Sequence, residues 1–398
     1  MHHVPAVLFL SKERKNRRMK LIHLADLHIG KRVNEISMIE DQRYILKQVL
    51  ECIREEQPDG VLIAGDVYDK TVPSVEAVQL LDAFLTELAK QNLPVYLISG
   101  NHDSAERVSF GAKLLARSRI YVATQYQGKI EKITLQDAYG RVNLYLLPFL
   151  KPAQVRAVWK EEAEEVSTYQ DAIDFVLAKE EINLGERNVL VAHQFVAGAQ
   201  TCDSEERSIG GLDQIAATSF QAFDYVALGH LHGPQQVSRE TIRYAGTLLK
   251  YSFSEIHHKK SITIVELGEK GKVEVRQRPV HPLHDMRQLR GTYEELVKRE
   301  NYENTDTADY LRIILTDEED VYDAVGKLRV IYPNLMRLEY DNTRTKNRQT
   351  VGETEPVEEK APIDFMEELY QVQNNKPMSQ EQKNYMEKMI ETIWEEKA

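Results

Sequence analysis

From Met19 onward the chain alternates short apolar runs with stretches in which apolar residues recur every three or four positions. Residues 20–25, 60–64 and 95–99 are near-continuous apolar runs. Runs of this length predict strands buried on both faces, as parallel sheets require. Between the first two, Ile39, Leu46, Val49, Leu50 and Ile53 predict a helix over 36–56 that stops before Pro58. Val75, Val78, Leu81, Leu85 and Leu88 form a second helical stripe, with Ser74 placed to cap it. Such alternation implies βαβ units.

Further along, 143–147, 188–192 and 225–228 read as short strands, and 152–180 as largely helical. Strands with clearer alternation are predicted at 242–245 and 261–267. The first domain is therefore placed at 19–280. Residues 281–341 read as a small α+β unit, with strands at 286–289, 310–315 and 335–340 and helices at 293–299 and 321–330. A polar linker is predicted at 342–361. Two amphipathic helices follow within 362–398. Phe365, Met366, Leu369 and Tyr370 line one; Met386, Met389, Ile390 and Ile393 line the other, behind a Ser379-x-x-Gln382 capping box. Residues 1–18 are expected to be a disordered extension, with a short targeting segment as the alternative, because their basic residues follow the apolar stretch, the reverse of a secretory signal.

Five of the apolar runs end in metal-ligating residue types. The first leads into Asp26-Leu27-His28 and the second into Gly65-Asp66, with Asp69 behind it. The third leads into Gly100-Asn101-His102-Asp103, the fourth into His193, and the fifth into Gly229-His230-Leu231-His232. Side chains at the carboxyl ends of strands in an open α/β sheet converge on one crevice. Alone, Asp26-x-His28 is weak and Gly229-His230-x-His232 moderate evidence, Gly-Asn suits an ordinary turn, and a strand histidine such as His193 is usually a packed core residue. Five in order, each after an apolar strand, are not explained in that way.

Oxygen and nitrogen ligands without thiolates suit Mn²⁺, Fe²⁺ or Zn²⁺ better than Ca²⁺. There are more of them than one tetrahedral ion takes, which predicts two ions, with Asp66 on the central motif as the bridging carboxylate. Such a pair clamps the attacking and leaving oxygens of an in-line displacement and activates water at neutral pH. His102 follows Asn101 directly, so the two side chains do not serve one ion equally. Asn101 is assigned to the metal. His102 is assigned to the substrate, where it stabilises phosphoryl charge and protonates the leaving oxygen, with Asp103 orienting it. His23 reads as packing or as support for the ligands, and His257 and His258, beside two lysines, as surface residues. His281 and His284 flank the domain boundary.

Composition changes the picture in two places. A net charge of −12 argues against a nucleic-acid binder, because Lys and Arg supply phosphate contacts. A metal site, however, binds phosphate through its cations, and part of the acidity lies in the tail. Lys31, Arg32, Arg107 and Lys250 lie near the motifs and are the candidates for DNA contact. Two cysteines are too few for a disulfide framework and fit a reducing compartment. Cys52 falls in a helical pattern and reads as core; Cys202 falls in a polar stretch and reads as a free thiol.

On these residues the chain resembles the calcineurin-like metallophosphoesterase superfamily, whose motif set it matches in full. Within it, the chain is similar to the SbcD exonuclease subunit family. The phrases His23-Leu-Ala-Asp-Leu-His-Ile-Gly30, Gly100-Asn-His-Asp-Ser104 and Tyr244-Ala-Gly-Thr-Leu-Leu-Lys-Tyr-Ser-Phe-Ser-Glu255 carry that similarity. It runs from Met19 to the C-terminus and is most specific up to Glu255. The resemblance implies an α/β fold: a four-layer αββα metallophosphoesterase sandwich with a small α+β capping domain and C-terminal helices. It implies two Mn²⁺ ions per chain, one on Asp26, His28, Asp66 and His232, the other on Asp66, Asn101, His193 and His230. It also implies a DNA nuclease with 3′–5′ exonuclease and single-strand endonuclease activity and ATP-dependent processing of duplex ends and hairpins. Its partners would be DNA and an SbcC-like ATPase held through the C-terminal helices, with the chain a homodimer within a heterotetramer. No membrane association is implied, and the location would be cytoplasmic, at the nucleoid.

Two rival readings use the same residues. A small-molecule metallophosphoesterase would need the metals but neither 283–340 nor the tail. A non-catalytic scaffold would be expected to have lost ligands, and all are present. The tail helices have two destinations open to them: a partner's groove, or the surface of the first domain.

Overall fold

The predicted apolar runs become strands that pair in the order their spacing requires. In the computed structural model the first unit contains β1 (Met19–Leu24), α1 (Ile39–Glu56), β2 (Gly60–Ala64), α2 (Val75–Lys90), β3 (Val95–Ile98) and β4 (Ile120–Ala123). There follow β5 (Glu131–Asp137), β6 (Gly140–Leu147), α3 (Pro152–Trp159), α4 (Tyr169–Ala178), β7 (Arg187–His193) and β8 (Tyr225–Gly229). The unit closes with β9 (Gln235–Val237), β10 (Arg239–Tyr244), β11 (Ser261–Leu267) and β12 (Val273–Pro279). The structure describes residues 8–9, 17–205, 213–343, 345, 362–374 and 376–395, and divides into two units after Asp285.

One sheet has the order β12-β11-β1-β2-β3-β4, and β1 to β4 pair in parallel. The other has the order β5-β6-β7-β8-β10-β9, with the two-residue strand Leu8–Phe9 on its β5 edge. The facing surfaces bury one core, in which Leu21, Leu62 and Ile98 meet Leu144, Val191 and Ala227. The opposite face of the second sheet packs Leu190, Val226 and Leu228 with Val155 of α3 and Ile173 and Val176 of α4. Helices α1 and α2 bury Ile45, Val49, Leu81, Phe84 and Leu88, and the outer residues Ile22, Leu24, Val61 and Ile63 of the first sheet are buried too. The result is helix, sheet, sheet, helix: the four-layer α/β sandwich expected. Ser74 Oγ accepts the Ala77 amide at 3.2 Å, as the cap prediction requires.

Two contacts tie the sheets together. His23 of β1 lies 2.9 Å from the Tyr225 hydroxyl and 3.2 Å from the Leu228 carbonyl of β8, which is a packing role. Its burial pushes its pKa down to about 3, so the ring is neutral. Arg187 of β7 pairs with Asp137 of β5, and Asp137 also accepts the Met19 amide of β1 at 2.9 Å.

Several expectations are corrected. The helix expected from residue 36 starts at Ile39, because Ile36–Ser37 pair with Arg32–Val33 in a short hairpin. The helical stretch 152–180 is two helices. The Thr168–Asp171 capping box, with amide-to-oxygen contacts of 3.1 and 2.8 Å, starts the second one afresh. Strands β4, β5, β9 and β12 were not expected. Of the extension expected to be disordered, residues 1–7 and 10–16 lie outside the described residues. Leu8–Phe9 nevertheless pair with Leu135–Gln136, and Arg17 reaches Asp59 at 3.3 Å, because an open strand edge and buried carboxylates offer them partners. The expected linker falls almost wholly outside the described residues.

The second unit holds a three-stranded parallel sheet of β13 (Met286–Gly291), β14 (Tyr310–Leu315) and β15 (Leu335–Tyr340) around Leu296, Leu311, Ile313, Leu328 and Tyr332. Its C-terminal helices cover Pro362–Asn374 and Gln380–Glu395. The predicted capping box forms: the Ser379 amide donates to Gln382 Oε1 at 2.9 Å and the Gln382 amide to Ser379 Oγ at 3.3 Å. No helix among the described residues is long and apolar enough to cross a membrane.

Candidate metal centre

The five motif segments arrive at one end of the sandwich. Asp26, Asp66 and Asn101 follow β1, β2 and β3 of one sheet; His193 ends β7 and His230 follows β8 of the other. β7 and β8 pair with His193 opposite Gly229, so both histidines start level. The sheets approach so closely here that a Cβ on Gly229 would lie 1.8 Å from the Ala64 carbonyl, and one on Gly100 would lie 2.1 Å from Asp66 Oδ1. Glycine is required at both places by space. Asp26, His28 and Asp66 all adopt left-handed backbone, with φ of 51°, 42° and 48°. Non-glycine residues held there store strain, which functional sites tolerate for the sake of aim.

The side chains fall into two groups that share Asp66. In one, His193 Nε2 lies 2.9 Å from Asn101 Oδ1 and 3.2 Å from Asp66 Oδ2, and His230 Nδ1 lies 3.0 Å from Asn101 Oδ1. In the other, His28 Nε2 faces His232 Nε2 at 3.2 Å and Asp66 Oδ2 at 3.8 Å. The same Asp66 oxygen thus looks toward both groups, while its Oδ1 accepts the His102 amide at 2.9 Å. Asp26 Oδ1 accepts the His230 amide at 2.9 Å, and Asp26 Oδ2 is buried without a hydrogen-bond partner. His28, Asp66 and His102 offer ligand atoms within 4.8 Å of one another, as do Asp26, Asp66 and His193.

The electrostatics call for cations. Burial, with the Asp66 charge nearby, drives the Asp26 pKa well above the carboxylate range. Burial also opposes the charge on Asp66, but His193 outweighs it by charge and hydrogen bond and holds the Asp66 pKa down. Burial disfavours charge on His193 as well, yet Asp66 and Asp26 raise its pKa to about 9. His28 and His230 are driven down, chiefly by burial, His230 to about 3. Two buried aspartates among imidazoles, of which His28 and His230 are neutral, with an unsatisfied Asp26 oxygen and two ring nitrogens pointing at each other, form a donor set that divalent cations complete. The residues present fit such ions.

Some sequence expectations change. Asp103 was expected to orient His102, but its oxygens accept the amides of Gly100, Tyr68 and Val67 at 2.9, 3.0 and 3.1 Å. It therefore ties the second motif loop to the third, and a carboxylate can do so because backbone amides crowd the turn it closes. Instead, His102 Nδ1 meets the Asp69 carbonyl oxygen at 3.2 Å. Lys31 pairs with Asp69 at 2.7 Å and Lys250 with Asp285 at 2.9 Å, so both are neutralised locally. Arg32 and Arg107 remain exposed. Of the lysines beside His257 and His258, Lys260 is buried. Both cysteines are free, and Cys202, despite its polar neighbours, is buried like Cys52, with Sγ 3.3 Å from Glu205 Oε1.

Phe149, not singled out in the sequence, forms an aromatic wall, stacked on His230 at 6.4 Å and edge-on to His193 at 6.1 Å. Its signal was slight: one aromatic residue just past a predicted strand. Glu205 was also missed; it accepts the His232 amide at 2.6 Å, and nothing in its sequence surroundings marked it.

Comparison with known proteins agrees with this geometry. The calcineurin-like phosphoesterase family matches residues 19–234. A family described as the type 5 capsule protein repressor C-terminal domain, SbcD_C, matches residues 282–374. The SbcD component of the SbcCD nuclease of Staphylococcus epidermidis is 34% identical over 324 residues, covering 80% of this chain and 85% of that protein. That of Staphylococcus saprophyticus is 36% identical over 324 residues, covering 80% and 84%. A solved dimetal phosphatase from Danio rerio aligns with 67% of this chain and 98% of its own, at 13% identity and a TM-score of 0.40, too loose a match to carry an argument. With one motif set converging at one end of the sandwich and two relatives at such identity and coverage, this chain belongs to the SbcD nuclease-subunit family and carries a calcineurin-like metallophosphoesterase domain.

Proposed function

We propose that this chain hydrolyses phosphodiester bonds of DNA at two divalent cations, Mn²⁺ being the favoured metal. Asp26, His28, Asp66 and His232 would hold one ion, and Asp66, Asn101, His193 and His230 the other. The observation that carries this reading is Asp66 Oδ2, which faces His193 Nε2 at 3.2 Å and His28 Nε2 at 3.8 Å. When bound, such a pair of cations polarises the phosphoryl group and supplies a nucleophile at neutral pH. The chain's own residues do the rest. The Asp69 carbonyl can only accept, so His102 donates from Nδ1, and its Nε2 would serve the leaving oxygen. In its cationic form the ring delivers that proton and offsets phosphoryl charge. Asp103 keeps the second and third motif loops in register, so that Asn101 and His102 cannot drift from Asp66.

The activities proposed are 3′–5′ exonuclease and single-strand endonuclease action, with duplex ends and hairpins opened when an SbcC-like ATPase is bound. The setting proposed is cytoplasmic, at the nucleoid. Phe110 and Leu114, exposed just after the third motif, offer apolar surface for the proposed homodimer. The test is direct: purified chain with a hairpin DNA, a single-stranded DNA and a small phosphodiester, each with Mn²⁺ and with chelator. DNA cleavage that the chelator abolishes is expected. Turnover of the small ester alone would favour the small-molecule reading.

The C-terminal helices are the proposed grip on the ATPase. Between them lies an open groove of about 480 Å³ lined by Met366, Leu369, Tyr370, Met378, Tyr385 and Met386. Phe365, Leu369, Tyr385 and Met389 are exposed. A chain ending at residue 360 is expected to lose co-purification with the ATPase while keeping Mn²⁺-dependent cleavage of single strands. Unchanged co-purification would remove the helices from that role.

A further inference from the structure

The Tyr244–Glu255 phrase supplies none of the nine predicted site residues, yet it runs directly behind two of them. Tyr251 is buried, and its hydroxyl donates to the Leu27 carbonyl at 3.1 Å. It also accepts one Gln42 Nε2 hydrogen at 2.9 Å; the other goes to the His28 carbonyl at 2.7 Å. Gln42 Oε1 accepts the Gly30 amide at 2.9 Å. Apart from the bond between them, the side-chain polar atoms of this pair are spent on the backbone that aims His28.

Glu255 does the corresponding work for His232. Ser204 Oγ donates to Glu255 Oε1 at 2.6 Å and lies 2.7 Å from His232 Nδ1. A hydroxyl has a single hydrogen. With that hydrogen given to the carboxylate, His232 must donate from Nδ1, and its Nε2 carries the lone pair. That lone pair points at His28 Nε2, 3.2 Å away. Two ring nitrogens at that separation, one of them a bare acceptor, are set for a cation between them. Lys260 pairs with Glu255 and donates to the His232 carbonyl at 2.9 Å, so the carboxylate stays charged and fixed. The other group is supported differently: His193 Nδ1 donates to the Ala64 carbonyl at 2.8 Å, which is backbone of β2.

We propose that the 244–255 segment, together with Ser204 and Gln42, is a positioning clamp for one of the two cation positions. Tyr251 sets the His28 loop and Glu255 sets the tautomer of His232 through Ser204. The cation between those two histidines depends on the clamp; the cation at His193 and His230 does not. The proposal rests on the two-ion reading above. These are positioning residues, since they act through His28 and His232 and not on the substrate.

The test counts bound ions on the full chain. Equilibrium dialysis against Mn²⁺ with metal analysis is expected to give two binding classes in the wild type. Ser204→Ala and Glu255→Gln should each weaken one class by about 10- to 100-fold, the usual effect of removing a partner behind a ligating histidine, and leave the other class unchanged. Ser204→Ala removes only a hydroxyl, so it carries the test if Glu255→Gln does not fold. Loss from both classes in Ser204→Ala, or from neither, would overturn the clamp. One ion bound per wild-type chain at saturation would overturn the two-ion reading and the clamp with it, so the two failures are distinguishable.

Discussion

Alanine in place of Asp66 is expected to remove both cations and to lower DNA cleavage by at least about 10³-fold. The reason is geometric. Asp66 Oδ2 is the oxygen that faces His193 and His28 alike, so one substitution opens both groups. The magnitude follows from the chemistry: Lewis-acid stabilisation contributes several kcal/mol, and each 1.36 kcal/mol is about tenfold in rate. Asp66 Oδ1 also anchors the His102 amide at 2.9 Å, so the third motif loop loosens as well. Metal content and cleavage rate are measured together. Normal turnover with two ions bound would remove Asp66 from the bridging place. His102→Ala is the contrast, expected to cut turnover by about 10²- to 10⁴-fold with both ions retained. Loss of metal in that variant would put His102 among the ligands, a place its distance to His28 and Asp66 allows.

The largest expected effect on stability comes from Arg187→Ala, far from the metal groups. Arg187 and Asp137 are both buried, and the guanidinium also donates to the Gly140 and Gly268 carbonyls at 2.8 and 2.9 Å. Asp137 in turn accepts the Met19 amide, so the pair fastens β5 and β7 of one sheet to β1 of the other. Removing the arginine leaves a buried carboxylate and two carbonyls unpaired. Breaking one side of such a pair costs about 3–5 kcal/mol. Urea unfolding, followed by circular dichroism, should show a midpoint lowered by that free energy divided by the slope, with the slope itself preserved. The double variant Arg187→Met with Asp137→Asn should recover part of the loss, since it strands no charge and an amide oxygen still accepts the Met19 amide. A single-variant loss below about 1 kcal/mol would class the pair with surface ion pairs.

Much of the fold was legible in local pattern. β1, β2 and β3 read as apolar runs because both faces are buried, and α2 read from its stripe and Ser74. The missed strands failed for different reasons. In β5, Ile133 and Leu135 alternate with Lys132, Thr134 and Gln136, a usable period of two that a search for continuous apolar runs passes over. β4 is four residues long and gives little period to detect. β12 is an edge strand in which Val273 and Val275 stand among charged residues, so its place depends on β11 as a partner.

The candidate site divides in the same way. The sequence by itself determined which residue types stand at the strand ends, and therefore which atoms are on offer: two aspartates, an asparagine and four histidines. Those are local properties, because a strand's end and its last side chain lie in one short segment. Tertiary structure alone decided that Asp66 Oδ2 is the shared oxygen, that Asp103 closes a loop, that Lys31 and Lys250 are spoken for by Asp69 and Asp285, and that Ser204 and Glu255 stand behind His232. Each of these is a meeting between segments distant along the chain; His28 and His232 are separated by 204 positions. Which remote side chains meet depends on how two sheets and their loops pack, and no pattern of spacing within one segment encodes it.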